Sequence, residues 1–174
     1  PGYGGCCLLA NPKGRPMPKS TSKAPNAIDL LKEDHEKVKK AFKEFEKMDR
    51  SDAESCRELV ETVCADLRVH TTLEEEIFYP ALREAIEDED ILNEAAVEHE
   101  TAKMLIEQLE NMEPDDPNYC ATFTVLGEYV MHHVKEEEGE MFPQAKKSKE
   151  LDLEALGGRM KARKEELTAE MQQA

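Results

Sequence analysis

The same histidine-to-proline stretch occurs twice in this chain. Each copy has a glutamate four residues after a histidine, and a proline ten residues after it. The copies are His70, Glu74 and Pro80, and His133, Glu137 and Pro143. Residues four apart share one face of a helix, about 6 Å apart along its axis. Two such faces turned inward would bring two imidazoles and two carboxylates together, which suits a buried pair of transition metals.

Apolar residues between positions 28 and 137 recur at alternating steps of three and four, which is typical of amphipathic helices. Four such stripes are separated by short polar breaks at 49–52, 87–90 and 114–117. Because short connections make neighbouring helices antiparallel, the sequence predicts an all-α, up-down-up-down four-helix bundle. Pro80 and Pro143 lie within periodic sequence, so we expect them to kink the second and fourth helices rather than end them.

The chain divides into three segments by composition and periodicity. Residues 1–25 are rich in Pro, Gly, Ser and Lys, which indicates a disordered tail, and the part before Met17 is a candidate for non-native sequence. Residues 26–148 form the predicted bundle. Residues 149–174 form a C-terminal helical extension, which we expect to be broken at Gly157 and Gly158 and to dock loosely.

Each stripe is interrupted near its middle by a histidine. In an antiparallel pair, residues equidistant from the turn lie at the same height. The midpoint of His35 and His70 falls inside the first break, that of His99 and His133 inside the third, and that of Glu74 and His99 at the edge of the second. The residues predicted to converge in one layer of the core are His35, His70, Glu74, His99, His133 and Glu137. Burying two carboxylates without compensation costs several kcal/mol each. A dinuclear metal centre offsets that cost, whereas ordinary packing does not.

The other polar residues near this layer are not predicted to be metal ligands. His132 lies about 100° around the helix from His133, so we expect it to be exposed. Four glutamates fall off the stripe and are predicted to be solvated surface charges: Glu75, Glu76, Glu136 and Glu138. Tyr129 lies one turn before His133, where its hydroxyl could support the site. The alternative is that Tyr129 packs in the bundle.

Composition excludes several functions. With 39 acidic and 23 basic residues, the formal net charge is −16, which argues against nucleic acid and anionic membrane surfaces as partners. No apolar run approaches the roughly 20 residues of a membrane span. The five cysteines are irregularly spaced without a CxxC pair, which disfavours a thiolate zinc site and indicates a reducing, cytoplasmic compartment.

With its ordered histidines, glutamates and prolines, the chain resembles the hemerythrin-like HHE cation-binding family over roughly residues 27–147. The resemblance implies a four-helix bundle that holds two non-heme iron ions, joined by an oxo or hydroxo bridge. It places His35 and His70 on one iron, His99 and His133 on the other, and Glu74 and Glu137 between them. Oxygen-carrying members have a fifth histidine four residues after the first one on helix 3, where this chain has Lys103.

The replacement of the fifth histidine by Lys103 favours reaction with oxygen, peroxide or nitric oxide over reversible oxygen carriage. Catalase-like peroxide consumption is the candidate enzymatic activity. Two alternatives stay open: a non-catalytic reservoir or sensor of iron or oxygen, and a structural bundle without a metal. Manganese and zinc suit the same donors as iron. Without metal, we expect repulsion and desolvation to raise the pKa of at least one of Glu74 and Glu137.

Overall fold

A computed structural model describes residues 26–50 and 52–173, so the predicted tail at 1–25 lies outside the described residues. The described residues contain no β-strand, and the chain is all-helical as predicted. The α-helices are α1 (Ala27–Phe45), α2 (Ala53–Leu73), α3 (Tyr79–Ala85), α4 (Glu89–Glu110), α5 (Tyr119–Glu136), α6 (Phe142–Lys147) and α7 (Leu153–Met171). Two π-helical turns complete the set, π1 (Glu74–Phe78) and π2 (Glu137–Met141).

Side-chain caps fix the starts of several helices. Asn26 accepts a hydrogen bond from the Asp29 amide at the start of α1, and Asp52 accepts one from the Ser55 amide at the start of α2. Such bonds satisfy amides that have no carbonyl partner in the first turn. They fix where the histidine-bearing stripes begin.

The two prolines do not end their helices, but the structure adds a feature to the predicted kinks. Helix α2 runs through π1 into α3, and α5 runs through π2 into α6. In π1 the Tyr79 amide bonds the Glu74 carbonyl, five residues back, and in π2 the Phe142 amide bonds the Glu137 carbonyl. Because proline lacks an amide hydrogen, the wider turn lets the helix continue across the position where a bond is missing. Each turn begins at a candidate ligand.

The helices enclose two apolar clusters with a polar layer between them. Helix α1 packs against α2 and α5, and α4 packs against α5 and α2. One cluster includes Leu31, Leu92 and Phe142, and the other includes Val38, Ala102 and Phe123. On α1 and α4, the residues of the two clusters lie on either side of a histidine. The core is thus interrupted at the level where the histidines lie.

Helix α7 differs from its sequence prediction. It is continuous through Gly157 and Gly158, and it packs on α1, α2 and π1. Leu156, Gly157 and Met160 are buried against the bundle, so the predicted break and loose docking are wrong. Packing of this turn against the bundle outweighs the low helix propensity of two glycines. None of the described helices is long and apolar enough to cross a membrane.

Candidate metal centre

The six candidate ligands meet in one buried layer, as the spacing predicts. Glu74 lies between the two halves, with Oε1 3.2 Å from His70 Nε2 and Oε2 3.3 Å from His99 Nε2. Glu137 Oε2 lies 3.1 Å from His35 Nε2 and 3.6 Å from His133 Nε2. All six side chains are at most 9% exposed. The layer therefore concentrates four imidazoles and two carboxylates away from solvent.

Several polar atoms in this layer have no hydrogen-bonding partner within the described part of the chain. They are His35 Nε2, both ring nitrogens of His70, both carboxylate oxygens of Glu74, and Glu137 Oε2. Buried polar atoms are almost always paired, and each orphaned one costs about 1–3 kcal/mol. The unpaired atoms face one another at distances that an ion could bridge. Together with His99 and His133, these side chains form two groups compact enough to hold an ion, and Glu74 belongs to both.

The pKa values in the layer are set by attraction between carboxylates and imidazoles, more than by the expected repulsion between the carboxylates. Burial raises the pKa of Glu74, but the facing imidazoles of His70 and His99 outweigh it and hold that pKa well below its usual range. Burial lowers the pKa of His70, but the Glu74 and Asp34 carboxylates raise it to about 10. The expected rise in pKa therefore does not occur at Glu74, because the facing histidines offset its charge. A bound cation would replace the protons on those histidines.

A small cavity adjoins the histidines. Its volume is about 30 Å³, and it is lined by all four site histidines together with apolar residues such as Val38, Ala102 and Val130. One water-sized molecule needs about 10–15 Å³ of such volume. The cavity therefore has room for a diatomic molecule or a peroxide beside the histidines, and not for a larger organic molecule.

Carboxylates from neighbouring helices hold the outer nitrogens of three histidines. Glu138 Oε1 lies 3.0 Å from His35 Nδ1, Glu75 Oε1 lies 2.9 Å from His99 Nδ1, and Glu98 Oε2 lies 2.8 Å from His133 Nδ1. The prediction that Glu75 and Glu138 are solvated surface charges misses these contacts. Glu76 and Glu136 lie at the surface, where they pair with Arg163 and His132. His132 is exposed, as predicted.

The donor set and its outer carboxylates are those of a metal site with oriented imidazoles. The family model for the hemerythrin HHE cation binding domain matches residues 26–145. This chain belongs to the hemerythrin HHE cation-binding family.

A solved structure and a curated relative add to this assignment. The crystal structure of a hemerythrin HHE cation binding domain-containing protein from Mycobacterium kansasii has a TM-score of 0.70 at 25% identity, and covers 84% of this chain and 89% of that one. A DNA nickase from Nostoc sp. strain PCC 7120 is 31% identical over 117 residues, which are 67% of this chain. The chain spans only 32% of that nickase.

In this hemerythrin-family chain, a tyrosine that the sequence analysis did not name, Tyr79, contacts the candidate ligands directly. The Tyr79 hydroxyl donates to Glu137 Oε1 at 2.9 Å and lies 3.3 Å from His99 Nε2. Burial and the nearby carboxylates raise its pKa well above 10, so the hydroxyl keeps its proton. Tyr129 is 46% exposed and lines the cavity, so its expected support of the site stays a prediction. The sequence signal for Tyr79 was its place directly before Pro80, where the second copy has Phe142.

Lys103, at the position of the fifth histidine, takes part in the outer layer of the site. Its Nζ lies 2.8 Å from Glu75 Oε2 and 3.0 Å from Glu100 Oε1. Glu75 in turn holds His99, so Lys103 supports a candidate ligand without reaching the inner layer. Lys39 stands in the same relation to Glu138, at 2.8 Å. In both halves of the bundle, the lysine four residues after the first histidine is therefore paired with the glutamate that contacts that histidine.

Proposed function

We propose that this hemerythrin-family chain binds two iron ions between its helices and reacts with oxygen, peroxide or nitric oxide. His35 and His70 would hold one ion, His99 and His133 the other, with Glu74 and Glu137 between them. The observation that carries the proposal is the set of buried, unpartnered nitrogens and oxygens that face one another in the layer. Imidazoles with carboxylates suit iron, and they also accept manganese or zinc.

The two carboxylates have different surroundings, which supports different parts for them. Both Glu74 oxygens face imidazoles, one from each half of the bundle, which suits a carboxylate shared between two ions. Glu137 offers only Oε2 to the histidines, because its Oε1 accepts the hydrogen bond from Tyr79. Glu74 is therefore the more symmetric of the proposed bridges.

The proposed site requires that the four helices bearing the ligands run alternately up and down the bundle. Contacts between helices join residues that are equidistant from the connecting turns, such as Glu75 with His99 and Glu98 with His133. Level pairs of this kind are expected of antiparallel neighbours, which supports the proposed arrangement. This arrangement brings each outer carboxylate to the ring of a histidine on the next helix.

Bound iron would supply the electron transfer that oxygen, peroxide or nitric oxide chemistry requires. The chain contributes the small cavity, which limits access to small ligands, and the Tyr79 hydroxyl, which holds a proton 2.9 Å from Glu137. A hydroxyl in this place can hydrogen-bond a small ligand or exchange its proton with one. We propose peroxide consumption as the activity, in a reducing compartment such as the cytoplasm.

A non-catalytic reservoir or sensor of iron or oxygen is the second candidate, favoured by the near-complete burial of all six proposed ligands. A net charge of −16 disfavours a nucleic-acid ligand, which argues against the DNA nickase activity named for the Nostoc relative. Decay of added peroxide with repeated turnover supports the enzyme. Reversible optical changes on adding and removing oxygen, without turnover, support the reservoir or sensor.

Elemental analysis with an absorption spectrum tests the metal proposal. We expect about two iron ions per chain after expression with ample iron, and near-ultraviolet absorption from a bridged ferric pair. The matched control is His132→Gln, which alters the exposed neighbour of His133 and should keep both ions. A content near zero or one in the parent protein would overturn the dinuclear site.

A further inference from the structure

One of the four site histidines lacks the outer hydrogen bond that the other three have. The nearest carboxylate to His70 Nδ1 is Asp34, whose Oδ2 lies 3.8 Å away, too far for a hydrogen bond. His70 Nδ1 has no hydrogen-bonding partner in residues 26–50 and 52–173. In the other three histidines this nitrogen lies 2.8–3.0 Å from a glutamate. His70 is therefore the least constrained ring of the layer.

Asp34 is held instead by the C-terminal helix. Lys164 on α7 contacts both carboxylate oxygens of Asp34, with Nζ 2.6 Å from Oδ2, whereas exposed Lys37 on α1 lies farther off, with Nζ 3.6 Å from Oδ1. Helix α7 is fixed nearby by buried Met160 and by Arg163, whose Nε lies 2.8 Å from Glu76 Oε2. This helix lies beyond residue 145, where the match to the family model ends. An element outside the matched segment thus reaches a carboxylate beside the site.

The equivalent position in the other half shows what Asp34 could do if it were not held. Glu98 precedes His99 as Asp34 precedes His35, and its Oε2 lies 2.8 Å from His133 Nδ1. Its other oxygen lies 3.6 Å from His132, and no lysine contacts Glu98 in the described residues. Asp34 needs to move by only about 1 Å to make the same bond.

We propose that Lys164 is a positioning residue that keeps Asp34 away from His70, so that the ion held by His35 and His70 is the one lost first. This inference rests on the proposed di-metal function. A carboxylate bonded to the outer nitrogen orients an imidazole and strengthens it as a ligand. His133 has that support and His70 lacks it. The C-terminal helix thereby makes a symmetric set of ligands unequal.

The test is iron release from the loaded protein to an excess of chelator, with Lys164→Met as the main variant. The parent should release its two ions in two phases. In Lys164→Met, Asp34 keeps only its longer contact with exposed Lys37, at 3.6 Å, so it can turn to bond His70 and the faster phase should slow by about tenfold. Lys164→Arg keeps the charge and the contact and should match the parent. Arg163→Gln removes a neighbouring contact of α7 without touching Asp34, and should also leave both phases unchanged.

A double-mutant cycle separates positioning from simple loss of charge. In an Asp34→Ala background, Lys164→Met should have no further effect on the faster phase. If the faster phase slows equally in that background, Lys164 acts through its charge, and the inference is overturned. Unchanged release in Lys164→Met with α7 still docked, as judged by helical content and melting temperature, also overturns it.

A second readout needs no bound metal. In nitrogen-15 spectra of metal-free protein, the His70 Nδ1 proton should exchange more slowly and resonate further downfield in Lys164→Met than in the parent, because it gains Asp34 as an acceptor. The signal is assigned by its loss in His70→Gln. If the purified parent holds no iron, the proposed function fails, while this proton still decides whether Lys164 withholds Asp34. The same shift and exchange rate in the variant and the parent would refute the positioning role whatever the metal content.

Discussion

The two halves of the bundle, residues 27–85 and 89–147, carry the same inner layer and the same outer ion pairs. In the first half His35 is followed four residues later by Lys39, and in the second half His99 is followed by Lys103. Each lysine contacts a glutamate that holds the histidine, Glu138 from π2 in one case and Glu75 from π1 in the other. Each half thus supplies the glutamate that orients the other half's histidine.

The halves differ at two places next to the inner layer. Before its proline, the first half has Tyr79, which donates to Glu137, whereas the second half has Phe142, which stacks on His35 at 5.7 Å between ring centroids. The second difference is the pairing of Asp34 with Lys164 instead of with a histidine ring. A repeat can therefore preserve a ligand set while neighbouring residues make the two metal positions chemically distinct.

The largest expected effect distinguishes the two carboxylates. Glu74→Ala removes oxygens that face both halves, so we expect metal content to fall from about two ions to less than one per chain. Because bound metal stabilises by linkage, about 2.7 kcal/mol at a hundredfold excess over Kd, the variant should melt about 5–10 °C lower. Elemental analysis and a thermal melt measure both effects.

The comparison for this variant is Glu137→Ala, which should retain more metal because Glu74 still spans the layer. Glu136→Ala, next to Glu137 in sequence but outside the inner layer, is the control and should keep both ions. Equal metal loss in Glu74→Ala and Glu137→Ala would show that the two carboxylates contribute equally. Chelated parent protein should melt at the same temperature as Glu74→Ala or lower.

The next effect concerns pH and metal-free protein. The pKa of His70 is raised to about 10, so this group's contribution to stability is fully present below about pH 6.5 and is lost as pH rises through 10. The loss should be on the order of a few kcal/mol. Urea unfolding of metal-free protein between pH 6.5 and 10 measures it. His70→Gln should flatten the dependence, and His132→Gln should not.

The sequence alone located all six candidate ligands, because their spacing follows the regular α-helical period up to the start of each π turn. It missed Tyr79, which lies nine residues after His70 and so falls on the opposite side of a regular helix. The extra residue of π1 rotates everything beyond it by about 100°, which single-sequence periodicity does not reveal. Glu75 and Glu138 were missed because helical projection shows only their own helix, not the histidine on the neighbouring one.

Exchanging the residues before the prolines tests the first difference between the halves. Tyr79→Phe should keep two ions but slow peroxide consumption by about tenfold, because Glu137 Oε1 loses its donor and the cavity loses its hydroxyl. Tyr129→Phe is the comparison variant, since that ring lines the same cavity but its hydroxyl contacts none of the six candidate ligands, and it should slow the rate less than Tyr79→Phe. A rate in Tyr79→Phe equal to that of the parent, with full iron content, would contradict the role of the hydroxyl.

The smallest expected effects test what the halves share. Glu75→Gln and Glu138→Gln each replace a carboxylate that holds a site histidine with an amide of the same shape. Each should weaken metal binding, by up to about tenfold in a competition titration, because a neutral acceptor orients and polarises the imidazole less strongly. The amide also interacts less strongly with Lys103 or Lys39, which should cost less than 1 kcal/mol at these partly exposed pairs.

Because the outer pairs match, the two variants should agree within about twofold. If Glu75→Gln alone weakened binding, the outer layer would be as unequal as the residues before the prolines, and the symmetry of the repeat would end at the six inner side chains.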